Sequence, residues 1–225
     1  MRLESQTVEL PLEGISMIRY VSEFLSPLCL AVVLTAAGTA NVLAADVNEL
    51  VEPCAGCHGK DGVSTESDIP IIAGNSATYI IDTMVSFKDE ERPCEETEIL
   101  DGPRKGEKED MCKIAADLSE ADTKLIAEHF AGKPFVRAKQ EFDADKAKLG
   151  KGVHDTSCKK CHENGGSSPD DDAGILAGQW IPYLRDQFEE YAADERPMPK
   201  KMKTKFEKLN ETDIENLVHY YASFQ

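Results

Sequence analysis

The pentapeptide Cys-x-x-Cys-His occurs twice, as Cys54-Ala55-Gly56-Cys57-His58 and as Cys158-Lys159-Lys160-Cys161-His162. It is the signature of covalent c-type haem attachment. On a helix, cysteines three residues apart share a face, so both thiols reach the vinyl carbons of one porphyrin. The next residue, His, then offers its imidazole to the iron. Two other chemistries use paired cysteines. A zinc site brings its second Cys pair within about 20 residues of the first, whereas these pairs begin 104 residues apart. A redox dithiol has no use for the His, and no strand–helix–strand pattern surrounds either pair. The motifs predict two covalently bound haems c, one on Cys54, Cys57 and His58, the other on Cys158, Cys161 and His162.

Shifted by 104 residues, the chain matches itself well beyond the motifs. Ala73-Gly74 falls on Ala177-Gly178, Tyr79 on Tyr183, and Glu91-Arg92-Pro93 on Glu195-Arg196-Pro197. Further on the shift becomes 91: Met111 falls on Met202, Leu118 on Leu209, Glu120 on Glu211, and Asp122 on Asp213. The first copy therefore carries 13 extra residues between Pro93 and Met111. That segment, Cys94 to Asp110, is rich in Glu, Lys, Gly and Pro and reads as a surface loop. The repeat predicts a first domain over residues 46–134, a linker over 135–142 and a second domain over 143–225.

Both copies end in an amphipathic helix. Ser119 with Asp122, and Asn210 with Asp213, have the spacing of an N-cap and an acidic first turn. Ile214, Leu217, Val218 and Tyr221 follow the i, i+3, i+4, i+7 pattern, and Ile126, Ala127 and Phe130 repeat three of those positions. Gly132 and Pro134 stop the first of these helices. A further helix per copy is expected over 77–88 and 181–193. No alternating run is long enough to make a sheet, so the predicted class is all-α.

An iron held by His on one side needs a ligand on the other, and Met raises the reduction potential relative to a second His. The candidates are Met84 and Met111 in the first copy, Met198 and Met202 in the second. Met84 aligns with Phe188 and Met198 with Cys94, whereas Met111 and Met202 align with each other. The expected ligand sets are His58 with Met111 and His162 with Met202. His129, His154 and His219 have no histidine at the equivalent position and read as surface or helix histidines. Cys94 and Cys112 bracket the insertion, have no counterparts in the second copy, and are expected to form a disulfide, since thiols of an exported protein tend to pair.

Export is indicated by the apolar run from Leu28 to Ala40, followed by small residues at Val42 and Ala44 that suit cleavage after Ala44 or Ala45. The run is short, and rich in Ala, Gly and Thr, for a membrane-spanning helix, which leaves an uncleaved anchor as the lesser alternative. The first sixteen residues contain Glu4, Glu9 and Glu13, unlike a basic leader, which makes a start at Met17, with Arg19 as the leader's positive charge, the alternative to Met1. Residues 1–45 are thus read as a signal peptide, and the mature chain as periplasmic with no stable membrane insertion. With 25 Lys and Arg against 42 Asp and Glu, the chain carries a net charge of −17. That argues against nucleic acid and anionic membranes and favours basic or neutral partners.

Taken together, these residues resemble tandem class I dihaem cytochromes of the cytochrome c-four type, and more closely the dihaem subunit of flavocytochrome c sulfide dehydrogenase. The closer resemblance is carried by Ala138-Lys139-Gln140-Glu141-Phe142-Asp143, Cys161-His162-Glu163-Asn164-Gly165-Gly166, Ile175-Leu176-Ala177-Gly178-Gln179-Trp180 and Glu195-Arg196-Pro197-Met198-Pro199-Lys200-Lys201-Met202. It implies two class I cytochrome c domains, each wrapped around one covalent haem. It also implies Met202 as the second-domain ligand and Met111, before Ile114-Ala115, as the first. It further implies an electron-accepting subunit whose catalysis resides on a separate flavoprotein subunit. The long Cys94–Asp110 loop departs from that pattern. Two rival readings are a free-standing dihaem carrier delivering electrons to a terminal oxidase, and a haem enzyme or sensor with one open iron position.

Overall fold

The computed structural model describes residues 46–170 and 172–225. The expected leader, its start at Met17, and cleavage after Ala44 or Ala45 lie outside the described residues. No helix among them is long and apolar enough to cross a membrane.

Side-chain caps set most of the helix starts. In the first half, α1 (Val47–His58) begins at Asp46, whose carboxylate accepts from Asn48 N–H at 3.0 Å. Ser76 likewise accepts from Tyr79 N–H to start α2 (Ala77–Lys88). Asp110 starts α3 (Met111–Asp117) and Ser119 starts α4 (Glu120–Ala131). Each cap satisfies a backbone donor that the first turn leaves unpaired. The insertion between α2 and α3 is not wholly irregular. It forms a small antiparallel hairpin, β1 (Thr97–Glu98) against β2 (Lys108–Glu109), the one sheet element among the described residues.

The second half repeats the plan. Asp143 caps α5 (Ala144–Ser157), and Asn210 with Asp213 makes a capping box at the start of α9 (Glu211–Ala222). Between them lie the short α6 (Glu163–Gly166), α7 (Ile181–Ala192) and α8 (Lys200–Phe206). Gly150 lets α5 approach α9 closely: a Cβ there would stand 2.0 Å from the Asn216 carbonyl oxygen. Glu215 ties three helices together, accepting from Arg185, Lys146 and His219. The Arg185 guanidinium beside it holds its pKa down at about 2.

Each half has its own apolar core. In the first, Val51, Ile80, Met84, Ala115, Ile126, Ala127 and Phe130 are buried together. In the second, Ile181, Leu184, Leu217, Val218, Tyr220, Tyr221 and Ala222 are. Ile126, Ala127 and Phe130 are the 91-residue counterparts of Leu217, Val218 and Tyr221, so the amphipathic stripe read from sequence is the buried face in both copies. The backbone repeats as well. Gly62 C=O accepts from Ile72 and Ala73, as Gly166 C=O does from Leu176 and Ala177. Gly74 N–H donates to Phe130 C=O, as Gly178 N–H does to Tyr221 C=O. These four glycines have φ between +72° and +87°, a conformation that L side chains rarely adopt.

The two halves meet across a polar and apolar seam built from equivalent residues. Ile71 N–H donates to Gln179 Oε1 at 2.9 Å, and its 104-residue counterpart Ile175 donates to Asn75 Oδ1 at 2.8 Å. Since Asn75 is the counterpart of Gln179, the pair of bonds is reciprocal. Ile71, Ala73 and Ala138 are buried beside Val63, Phe135 and Trp180. The segment expected as a linker is therefore a packed strap. Ala138 N–H donates to Gly178 C=O at 2.8 Å, and the Gln140 amide bonds the backbone of Gln179 and of Ile181.

Candidate haem sites

The first motif occupies the last turns of α1. His58 is 8% exposed, and its Nδ1 lies 2.9 Å from the Pro70 carbonyl oxygen. A carbonyl oxygen only accepts, so Nδ1 carries the proton and Nε2 keeps its lone pair. That hydrogen bond fixes both the tautomer and the ring orientation, as a second-sphere partner does for a metal-ligating His. Burial pushes the His58 pKa below its ordinary value, favouring the neutral ring that ligation requires. Cys54 and Met111 both pack against the first core, which brings a thioether candidate and a sixth-ligand candidate to one apolar region. Cys54 and Cys57 fit the haem-binding pattern.

The second motif is built differently. The helical turn expected for it ends early: α5 stops at Ser157, and Cys158 to His162 form a turn beyond it. Lys159 and Cys158 N–H still donate to the His154 C=O, and the N–H groups of Cys161 and His162 to the Cys158 C=O. Cys158 packs on the second core, Cys161 is exposed and His162 is half-buried. Gly174 stands where the first copy has Pro70. Met202, half-buried on α8, is not among the described residues packed on that core. Met198 lines an open cleft of about 1080 Å³ with Lys203, Phe206 and Leu209. The Cys158 thiol is raised by burial, against which a Tyr221 hydrogen bond and the charge of Lys205 on α8 act to lower it.

Three of the four motif thiols are shifted opposite to those of a redox dithiol. Burial pushes Cys54 up to about 11 and also raises Cys57 and Cys158. Dithiol oxidoreductases lower a thiol pKa instead. The zinc alternative fails on placement. Among the described residues, the one group of three or more His, Cys, Asp or Glu side chains within ligating distance is Cys94, Asp110 and Cys112. Its two cysteines are joined to each other in a disulfide, Cα atoms 5.7 Å apart. The bridge closes a loop of 18 residues beside Met111. Replacing both cysteines by Ser is expected to lower stability by on the order of 3 kcal/mol, read from the shift of a denaturant midpoint.

The seam holds residues that sequence reading matched but did not assign. Arg92 and its counterpart Arg196 are both buried. Arg92 lies 4.2 Å from the Phe87 ring centroid, and Arg196 lies 4.7 Å from that of Tyr191, the counterpart of Phe87. Both guanidiniums donate to Gln187 Oε1, and Arg92 reaches Glu190 at 3.4 Å. Two buried cations thus face one carboxylate, and the buried Arg92 Nε has no hydrogen-bond partner. Such an arrangement favours a further anionic group. Tyr79, half-buried at the same seam, is raised by desolvation but lowered more by Arg196 and Arg92, so its pKa falls overall. The repeat of Glu-Arg-Pro in both copies was the signal that could have found this cluster. His154 also departs from a surface reading: it is 1% exposed on α5, with Nδ1 3.1 Å from Tyr221 Oη.

No protein-family model and no curated protein matches the sequence. Among solved structures, the chain is similar to reduced recombinant cytochrome c4 from Pseudomonas stutzeri, with a TM-score of 0.64 at 24% identity, over 80% of this chain and 97% of that one. It is similar to cytochrome c4 from Acidithiobacillus ferrooxidans, TM-score 0.60 at 20% identity, over 76% of this chain and 98% of that one. The fold is that of tandem class I cytochromes c. A third likeness is to thiosulfate dehydrogenase TsdBA from Marichromatium purpuratum, TM-score 0.60 at 23% identity, over 76% of this chain and 36% of that one.

Proposed function

We propose that this chain is an exported dihaem c-type cytochrome that transfers electrons. Its two domains span 46–134 and 143–225, and thioethers form at Cys54, Cys57, Cys158 and Cys161. The observation that carries the reading is His58: buried, neutral, and oriented through Nδ1 so that Nε2 is available to a metal. A covalently held haem supplies a one-electron iron couple. His58 with Met111, and His162 with Met202, would ligate the two irons and leave no position for substrate, so that catalysis would belong to a separate protein. The buried Arg92 and Arg196 would neutralise the acidic side chains of the porphyrin at the seam. The apolar cores packed on Cys54 and Cys158 would exclude water from the haems and so favour a higher potential.

The ligand sets are tested by the weak near-infrared charge-transfer band of Met-ligated ferric haem. Met202→Ala should remove about half of that band, since one of two ligating sulfurs is lost, whereas Met198→Ala should leave it intact. The opposite pattern would assign Met198 instead.

The finer reading is the electron-accepting subunit of a flavin-dependent sulfide dehydrogenase, supported by the strap and second-half stretches that resemble that family. A free carrier is supported by a different observation: the likeness runs over nearly the whole length of two cytochromes c4. Mixing the purified chain with a candidate flavoprotein and sulfide, and following haem reduction, separates the two. Rapid reduction only when the flavoprotein is present supports the subunit. No complex with any flavoprotein of the host, together with rapid oxidation by a terminal oxidase, supports the carrier.

A further inference from the structure

His154 is a buried titratable side chain with no part in either ligand set. It is 1% exposed, with its ring centroid 5.2 Å from that of Tyr220 and 5.6 Å from that of Tyr221. The first half has Leu50 at the position of His154 and Phe130 at that of Tyr221. Both of those pack in the first core. An apolar pair has thus been exchanged for a hydrogen-bonded one in only one of two matching halves.

The hydrogen bonds of the pair run in one direction. A thioether sulfur at Cys158 can only accept. Tyr221, which hydrogen-bonds that sulfur, is then the donor. Its single proton is used there, so the 3.1 Å contact with His154 is made by Nδ1–H donating to Tyr221 Oη. In the neutral ring Nε2 then holds a bare lone pair. That atom is buried and has no hydrogen-bond partner among the described residues. A buried orphan of this kind is rare in folded proteins. Here it is a vacant proton site, connected through one hydroxyl to the Cys158 sulfur.

We propose that His154 is a positioning residue, acting through Tyr221, that takes up a proton at Nε2 when the second half is reduced and so makes the potential of that half depend on pH. The balance is one electron from a one-electron donor and one proton from water. An electron added in a low-dielectric core leaves an uncompensated charge, which a cation on the nearby ring offsets. The protonated ring is also the stronger donor, and the polarisation passes through Tyr221 to the sulfur. The titratable groups facing His154 are Lys151 and Asp155 on its own helix, Cys158 and Lys159 in the motif turn, and Tyr220 and Tyr221 on α9. Lys151 and Asp155 are paired with each other, which leaves Lys159 as the unbalanced charge. Burial pushes the His154 pKa down, with Asp155 opposing and both lysines adding. The potential should therefore fall as pH rises on the acid side of the ordinary imidazole range, and be flat above it, where the ring is neutral in both redox states. This inference rests on the haem reading above.

The test is redox titration of the mature holoprotein at several pH values, its two covalent haems first counted by mass. Two variants separate the proton from the packing. His154→Gln keeps a hydrogen-bonding side chain that does not titrate, and His154→Leu/Tyr221→Phe installs the pair that the first half already holds. In wild type one of the two midpoints should carry an acid-side slope of up to about 59 mV per tenfold change in proton concentration. Both variants should lose that slope and leave the other midpoint as it was. The acidic side chains of the porphyrin titrate in all three proteins and cancel in the comparison. Imidazole NMR should show His154 protonating at a higher pH in the reduced protein than in the oxidised one. A slope retained in His154→Gln, or a His154 ring that protonates at the same pH in both redox states, would each overturn the proposal. A chain lacking covalent haem would overturn the haem reading itself, and the proposal with it.

Discussion

Changing Cys158 and Cys161 together to Ser should leave a mature chain with one covalent haem, and changing Cys54 and Cys57 as well should leave none. Mass spectrometry of the exported protein reads the count directly. The expectation rests on two facts that the pentapeptide alone does not supply. The thiols at Cys54, Cys57 and Cys158 are raised by burial, which disfavours thiolate and dithiol exchange. The two Cys pairs also sit in separate halves, on separate cores, so they cannot share one tetrahedral ion. A chain in which four cysteines remain freely alkylated after maturation would defeat the haem reading at its base. A further consequence concerns stability. Only 7% of residues are aromatic, and each half is a small domain, so a large apolar cofactor adds burial that the side chains alone do not provide.

Gly150→Ala and Gly152→Ala, two residues apart on α5, should have opposite signs. At position 150 a Cβ meets the Asn216 carbonyl oxygen at 2.0 Å and Tyr220 Cβ at 2.8 Å, so α5 must move away from α9. Overpacking of this kind costs about 3 kcal/mol or more, outweighing the roughly 1 kcal/mol that Ala gains over Gly in a helix. At position 152 a Cβ meets nothing within 4 Å, and the helix gain stands alone at up to about 1 kcal/mol. Denaturant midpoints of the two variants, compared with wild type at equal haem content, give both signs. Equal destabilisation by the two substitutions would mean that the α5–α9 approach does not limit the second half.

Much of this arrangement was legible because the motifs, the repeat and the helical stripes are local or periodic. Helices over 77–88 and 120–131 follow from spacing and caps, since an N-cap and a buried stripe are set within one or two turns. Other features were not legible. The motif turn at Cys158 is identical in pattern to that at Cys54, yet only one is helical. His154 reads as an ordinary helix histidine until Tyr221, 67 residues away, is placed beside it. The strap over 135–142 looks like a polar tether, but its backbone and Gln140 bond the second half.

The sequence by itself determined what is written in short-range pattern: two haem-attachment motifs, a duplicated helical unit, a 13-residue insertion, and paired methionines as ligand candidates. Tertiary structure decided how the copies differ and how they meet. Ile71 with Gln179, and Ile175 with Asn75, bond across more than a hundred residues, which no local pattern encodes. Two arginines are buried at one seam, beside a half-buried tyrosine, only because the halves press together there. The physical reason is that periodicity fixes which face of an element is buried, whereas burial at a given point depends on which distant element arrives there.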